Sequence, residues 1–516
     1  MKRDATLPLA DTQSVWAATS KRPRATKLSA DVEADVCIVG AGIAGLTTGY
    51  LLTKAGKSVV ILDDGLLAGG MTEVTSAHLS DAIDDRFIEI EKWHGERGAF
   101  LAAESHSAAI SRIESIVEEL EIDCDFARVD GYLILAPGEN PEMLDRELAA
   151  AKRAGLMARM VTHAPLDYDT GPAICFPNQA RFHPLKYLIG MAQAIDDGGG
   201  HIYTNTHADH IEGGENAVVE VGSHKVRAGA IVVATNTPIN DMVSIHTKQA
   251  PYMTYVIGAR IPKGSVTDAL YWDTLKAYHY VRIQAMHDAD GKPRNDYDLL
   301  IVGGEDHKSG QADDSDERHA RLEAWAEERF PMMEEIEFTW AGQCMETVDG
   351  LAFIGRNPHD AKNVFVVTGD SGMGLTHGTI AGMLLTDLIA GKTNPWATLY
   401  DPSRKPIRAA VQYAKENLNV AAQYVDWVTP GDVSSVREIQ PGTGAVLRRG
   451  LSKVAVFRDR NGKCQEMSAV CPHLGCIVQW NSAESSWDCP CHGSRFDKHG
   501  KVTCGPANVD LPPVEE

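Results

Sequence analysis

The chain has 516 residues, of which 44% are apolar and 23% charged, and its 49 basic against 71 acidic side chains give a net charge of −22. Length alone calls for two to four domains and excludes a single small one, while the composition excludes long disorder, a collagen repeat or a coiled coil. So acidic a surface weighs against nucleic acid or an anionic membrane as partner, and no apolar run reaches the roughly 18 residues of a membrane span. The start, MKRDATLPLADTQ, lacks the apolar stretch of a signal peptide, so a cytoplasmic location is expected.

Residues 1–34 read as a polar N-terminal arm whose basic patch, Lys21, Arg22, Arg24 and Lys27, is solvated. From Asp35 the pattern sharpens into a buried strand (VCIVG), a tight turn (GAGIAG), a helix and a second strand (SVVILDD). AGAIVVATN at 228–236 reads as another buried parallel strand. NVFVVTGDSGMG at 363–374 reads as a further strand, leading through a Gly-rich turn to a helix at 380–389. These segments suit a doubly wound α/β sheet interrupted by insertions. Between about 251 and 349, runs such as YMTYVIGARI and AYHYVRIQ predict an antiparallel sheet over a pocket. A helical stretch at about 407–425 then ends at WVTPGD, whose Pro and Gly mark a boundary before short strands and turns.

The predicted layout is thus an arm (1–34), a Rossmann-like α/β body with an inserted antiparallel-sheet part (35–392), a helical linker (393–429) and a small all-β domain (430–516). Within the body, nucleotide-binding segments are expected at about 35–110, 160–250 and 350–392, and the substrate or cap part at about 111–159 and 251–349.

Gly40, Gly42 and Gly45 follow a strand and open a helix. Glycine there permits a tight turn, close approach of backbone to a pyrophosphate and close helix packing, with the helix N-terminus facing the anion. Asp63 ends the next strand 23 residues after Gly40, where a carboxylate accepts hydrogen bonds from a ribose, and Asp64 beside it is expected to face solvent. With Ala44 these residues form the predicted dinucleotide site. A reductase that takes hydride from a nicotinamide needs a second unit of this kind, and GDSGMGLTHG at 369–378 lacks the spacing.

At this point the sequence resembles the D-amino-acid oxidase and glycine oxidase superfamily of FAD enzymes, over about residues 35–392, and TWAGQCMETVDGLAFIGR at 339–356 adds to the likeness. The resemblance implies FAD, with Gly372, Met373, Gly374, Leu375 and Thr376 near the pyrimidine edge of the flavin, where backbone N–H groups favour its reduced, negative form. A non-covalent FAD is expected, His78 being the residue weighed for a covalent link. Many amino-acid oxidases of the superfamily carry an Arg shortly after the Trp-Ala-Gly step, clamping the substrate carboxylate, whereas Gln343, Cys344 and Met345 follow it here. Alternation along a strand puts Tyr278, Tyr280 and Arg282 on one face. They are expected to line the substrate pocket with Arg282 as anchor, unless the tyrosines merely pack on the sheet under a solvent-facing Arg. His307 and Gln343 are further pocket candidates.

The last 87 residues balance ten basic against ten acidic side chains and hold six of the ten cysteines. Cys471 and His473 lie in one loop and Cys489 and His492 in another, a ligand set that zinc could also use. The loop texts, CPHLGC at 471–476 and CPCHGS at 489–494, resemble those of Rieske [2Fe–2S] proteins. That resemblance implies Cys471, His473, Cys489 and His492 as cluster ligands, with neutral imidazoles raising the potential. It also implies a disulfide between Cys476 and Cys491, a covering loop at 505–508, and Ser494 as hydrogen-bond donor toward a cluster sulfur. Phe496 stands where a Tyr often donates another such bond, which lowers the potential. Cys464 and Cys504 are given no role.

A flavin accepts two electrons at once and a [2Fe–2S] cluster passes one, so the fusion reads as a dehydrogenase. The whole chain resembles bacterial FAD-dependent oxidoreductases of the glycine oxidase type with a C-terminal Rieske domain. The expected reaction is oxidation of the C–N bond of a small amine or amino acid by hydride transfer to flavin N5. Electrons then leave singly to a small redox protein or a quinone-type acceptor. A 2-hydroxy-acid dehydrogenase stays open as an alternative, as does an electron-transfer protein whose flavin is reduced by a partner and whose cluster feeds an oxygenase. A Rieske oxygenase needs a mononuclear iron site, for which no convincing helical ligand cluster is found.

Overall fold

The computed structural model of the chain describes residues 12–240, 243–287, 292–312 and 314–514. Two apolar runs, Val59–Leu62 and Val364–Thr368, are buried along their whole length, as strands covered on both faces must be. They belong to an eight-stranded sheet with the order Phe353–Arg356, Val364–Thr368, His224–Val233, Val32–Val39, Val59–Leu62, His201–Tyr203, to which His210–Glu212 and Val218–Val221 add a hairpin. All neighbours from Val364–Thr368 to His201–Tyr203 run parallel. Helices Ile43–Lys54 and Gly374–Ile389 cross closely because small residues face each other: a Cβ on Gly378 would lie 2.7 Å from Ile43, and one on Gly382 2.5 Å from Thr47.

A second, nine-stranded sheet has the order Ile336–Thr347, Gln249–Pro262, Pro293–Lys308, Tyr280–His287, Leu270–Asp273, Ala127–Ile134, Ala173–Arg181, His78–Leu79, with Arg159–Val161 beside Ala173–Arg181. Its strands within 251–349 pair antiparallel as expected, but the sheet extends beyond them and is mixed, because Leu270–Asp273 runs parallel to Ala127–Ile134. These two strands lie far apart in the chain, so no tight hairpin dictates their direction. Sheet membership cuts across the expected segments. Ala173–Arg181 and His78–Leu79 fall in expected nucleotide-binding segments yet join this sheet, and the helix Arg86–Glu119 crosses the expected boundary at residue 110. Turn composition locates breaks in the chain but not the sheet a strand joins.

The polar N-terminal arm is anchored to the body at a few points within 12–34. Val15 and Trp16 are fully buried, the Trp16 indole donates to the Thr75 carbonyl (2.6 Å), and Arg22 pairs with Glu73 at 2.7 Å. Leu28 is buried as well, so three apolar side chains dock an otherwise polar segment. Lys21, Arg24 and Lys27 are exposed as expected.

After the helix Ala410–Gln423 come a three-stranded sheet (Thr443–Arg449, Ser452–Arg458, Cys464–Ser468) and a four-stranded one (Gln479–Asn481, Ser486–Asp488, Arg495–Asp497, Val502–Cys504). Among the described residues no helix is long and apolar enough to cross a membrane.

Candidate functional site

Gly40 turns the chain at φ 108°, and a Cβ there would lie 2.3 Å from the Ala234 carbonyl oxygen. One on Gly45 would meet the Gly40 carbonyl oxygen at 1.8 Å. Only glycine closes this turn. It opens the helix Ile43–Lys54, and Gly40, Gly42, Ala44 and Asp63 line one part of a cavity of about 1150 Å³. Asp63 accepts from the backbone N–H groups of Ala41 (2.6 Å) and Gly65 (2.9 Å), and burial pushes its carboxyl up to about 6. Gly372, Met373, Gly374 and Leu375 line the same cavity. Thr376 does not reach it: its hydroxyl is 2.8 Å from His106 Nδ1, in the packing between helices. The space exceeds an ordinary small-molecule pocket of roughly 300–1,000 Å³, so it has room for a dinucleotide and a small second ligand. A glycine cradle, a helix N-terminus and a ribose-type carboxylate suit FAD.

The predicted substrate residues divide. Tyr278, Tyr280 and Gln343 line the cavity, as does His78, whose imidazole is held at about 3 by burial and by Arg282. Arg282 is fully buried but does not reach the cavity. Its guanidinium donates to the carbonyls of Ala77 (2.7 Å) and Phe182 (3.1 Å) and to Gln284 Oε1 (2.6 Å), and it lies over the Trp16 ring. Alternation predicted its face of the strand correctly, but the segment containing Ala77 covers that face. His307 also points elsewhere, its Nε2 2.9 Å from Tyr255 Oη. The adjacent Asp306, on the opposite face of the same strand, lines the cavity instead.

Sequence reasoning missed the carboxylates Asp84, Asp85, Asp306, Glu346 and Asp370, which line the cavity beside Tyr252, Tyr278 and Tyr280. All five are partly exposed and line the cavity. Burial, then neighbouring groups, pushes Asp84 up to about 6 and Asp85 and Asp306 to about 7, and holds Glu346 well above the usual range. Asp84 and Asp85 precede the long helix, Asp306 ends a strand, and Asp370 sits in the Gly-rich turn. No local motif joins them. The one signal was the large acidic excess of the body.

The Rieske-like domain reaches this cavity through the segment 502–508, and not through its two ligand loops. Cys471 and Cys489 share a hydrogen bond, which, with donors from the His473 backbone and Ser494, lowers the Cys471 thiol to about 7 despite burial. The His473 and His492 rings are 5.0 Å apart. Cys476 and Cys491 form the expected disulfide, so although their sulfurs crowd Cys489 they are not free as ligands. The remaining two Cys and two His suit a [2Fe–2S] cluster. Both imidazoles are buried under His246, the nearer ring centroid at 4.8 Å. Gln343 Nε2 donates to the Gly493 carbonyl (3.0 Å), Gln311 Nε2 to that of Pro490 (3.0 Å), and Asn508 Nδ2 to that of Ala208 (2.9 Å). Cys504, Gly505, Ala507 and Asn508 form part of the cavity wall.

Family models agree with this architecture. That of the FAD dependent oxidoreductases matches residues 35–388, and that of the Rieske [2Fe-2S] domain matches 429–515. The chain therefore belongs to the FAD dependent oxidoreductase family, with a C-terminal Rieske domain, and it binds FAD and a [2Fe–2S] cluster. Its similarity to the "Putative Rieske 2Fe-2S iron-sulfur protein YhfW" of Bacillus subtilis (strain 168) is 30% identity over 506 residues, covering 98% of this chain and 97% of that one. The gamma-glutamylputrescine oxidoreductase of Escherichia coli (strain K12) is 26% identical over 404 residues, 74% of this chain and 89% of that one. Glycine oxidase from Geobacillus kaustophilus shares the fold with a TM-score of 0.57 at 17% identity, over 72% of this chain and 99% of the other.

Proposed function

We propose that this oxidoreductase is a dehydrogenase that oxidises the C–N bond of a small amine or amino acid and passes the electrons out singly through its Rieske domain. The observation that carries the reading is the shared wall: Cys504, Gly505, Ala507 and Asn508 line the cavity that the Gly40 turn and the 372–375 turn also line. When bound, FAD takes a hydride from the substrate carbon and the cluster relays single electrons. Gly40, Gly42, Ala44, Gly45 and Asp63 would hold the nucleotide, and the 372–375 turn the flavin end. Cys471, His473, Cys489 and His492 would hold the cluster. Asp85 and Asp306, with carboxyls near 7, are poised to take the proton an ammonium must lose before its α-carbon gives up hydride. The amine leaves as an imine, and a one-electron acceptor, a small redox protein or quinone, collects the electrons. The direction of flow is tested by anaerobic mixing with amines, amino acids and 2-hydroxy acids. An amine or amino acid should bleach the flavin first and reduce the cluster second, with NADH inert. Rapid reduction by NADH with silence across the panel overturns the reading in favour of an electron-transfer protein.

A further inference from the structure

Five carboxyls in one buried space are costly unless something positive enters it. The chain supplies little. Of the cations lining the cavity, Lys276 and Lys415 are exposed, and Arg86, which donates its Nη2 to the Thr274 carbonyl at 2.7 Å, is the one cation whose charge acts on Asp84 and Asp85, against five carboxyls. Asp85 Oδ2 and Asp306 Oδ1 are buried and accept no hydrogen bond from the protein. The other Asp306 oxygen takes a bond from Thr254, whose hydroxyl is 2.7 Å from Tyr280 Oη, and Asp84 takes one from Tyr278. Donors within the fold thus hold Asp84 and Asp306, while Asp85 packs one oxygen against Gly350 and still lines the cavity.

The spacing argues against a metal ion. Among the described residues the only trio of possible ligand atoms within 4.8 Å of one another is formed by cysteine sulfurs in the cluster domain, so no three of these carboxylates converge on one point. Asp84, Asp85, Glu346 and Asp370 act on one another and Asp84 acts on Asp306, and the cavity they line is also lined by Tyr252, Tyr278 and Tyr280, the last two with ring centroids 5.5 Å apart. Aromatic faces and carboxylates both attract alkylammonium groups. An amino-acid substrate would need a basic anchor for its carboxylate, and Arg282 is held away by the carbonyls of Ala77 and Phe182.

From this arrangement we infer that the substrate is an aliphatic di- or polyamine without a free carboxylate, with separate ammonium groups held by Asp85 and by Asp306. This deepens the dehydrogenase reading and rests on it. The step balances as follows: a C–H bond beside one nitrogen gives up hydride to FAD, the nitrogen loses a proton to a cavity carboxylate, and a C=N bond forms, later opened by water to an aldehyde and the shortened amine.

Calorimetric binding to the oxidised, FAD-loaded full-length protein under anaerobic conditions at pH 8 tests the class. 1,4-Diaminobutane and spermidine should each bind about tenfold or more tightly than n-butylamine, as one further buried ion pair requires. Asp85→Asn and Asp306→Asn should each erase most of that difference without loss of bound FAD. Equal affinity for butylamine and the diamine, or tighter binding of glycine or sarcosine than of the diamine, overturns the inference, and this comparison needs no variant to fold. Flavin colour reports the dehydrogenase reading separately. Bleaching by an amino acid that outbinds the diamine leaves that reading standing and removes the polyamine, whereas tight diamine binding with no bleaching by any amine keeps the site and removes the oxidation.

Discussion

Arg282 shows how a residue with the chemistry of a substrate anchor can be a structural tie instead. Its charge is dispersed over two backbone carbonyls and Gln284, on segments far apart in the chain, and it caps the Trp16 face. Arg282→Met should therefore lower unfolding stability by about 3 kcal/mol, the scale of a charged donor lost from buried acceptors, and leave amine affinity of the folded protein unchanged. Thermal unfolding together with binding separates the two, and a variant of normal stability with weakened binding would restore the anchor. What was legible here was whatever lies in one stretch of chain. The 40–45 turn and the 471–476 and 489–494 loops carry their chemistry within a few residues, so their text alone was specific. Residue alternation told which face Arg282 takes, but it could not tell that Ala77, 205 positions away, would cover that face.

At the scale of elements, the turn before the long helix is the part of the cavity with most at stake. Asp84 and Asp85 precede the helix Arg86–Glu119; Asp370 raises Asp84, Asp84 raises Asp85, and all three raise Glu346. Their pKa values, about 6 and 7, with about 7 for Asp306, exceed those of the unfolded chain. Between roughly pH 4 and 7 the native state thus binds more protons than the unfolded state, and stability falls as pH rises through that window. With no amine bound, the FAD-loaded protein should lose on the order of 2–3 kcal/mol from these groups between pH 5 and pH 8, allowing for cavity water and mutual coupling. Asp85→Asn should flatten the slope, and saturating diamine should reverse it. A melting temperature that rises steadily from pH 5 to pH 8 without amine would contradict the buried-carboxylate account. These acids went unread in the sequence because three separate segments and the end of a strand deliver them, with no spacing that marks a pocket.

For the whole molecule, the consequence of fusing the two domains depends on how the cluster is seated. Burial of His473 and His492 under His246 turns the imidazole edge of the cluster site inward, toward the flavoprotein body, and Gln343 spans from the cavity wall to Gly493. The interface is close-fitting at Gly310, which turns at φ 65° and where a Cβ would lie 2.8 Å from the Asp488 carbonyl oxygen and 3.0 Å from the Pro490 nitrogen. Those are backbone atoms, next to Cys489, so they cannot swing aside as a flexible side chain would. Gly310→Val adds a wedge on the flavoprotein side that presses on the backbone flanking Cys489 without replacing any expected cluster ligand or FAD contact. It should therefore keep the full iron, sulfide and FAD content and the normal rate of flavin bleaching by substrate, yet slow the subsequent reduction of the cluster, read in stopped flow by the lag between the two absorbance changes. Loss of bleaching itself would mean that the wedge reaches the substrate end of the cavity. An unchanged lag would mean that electrons cross from cavity to cluster without depending on the seating at Gly310, leaving the Gln343 and Asn508 contacts as the ones that position the cluster.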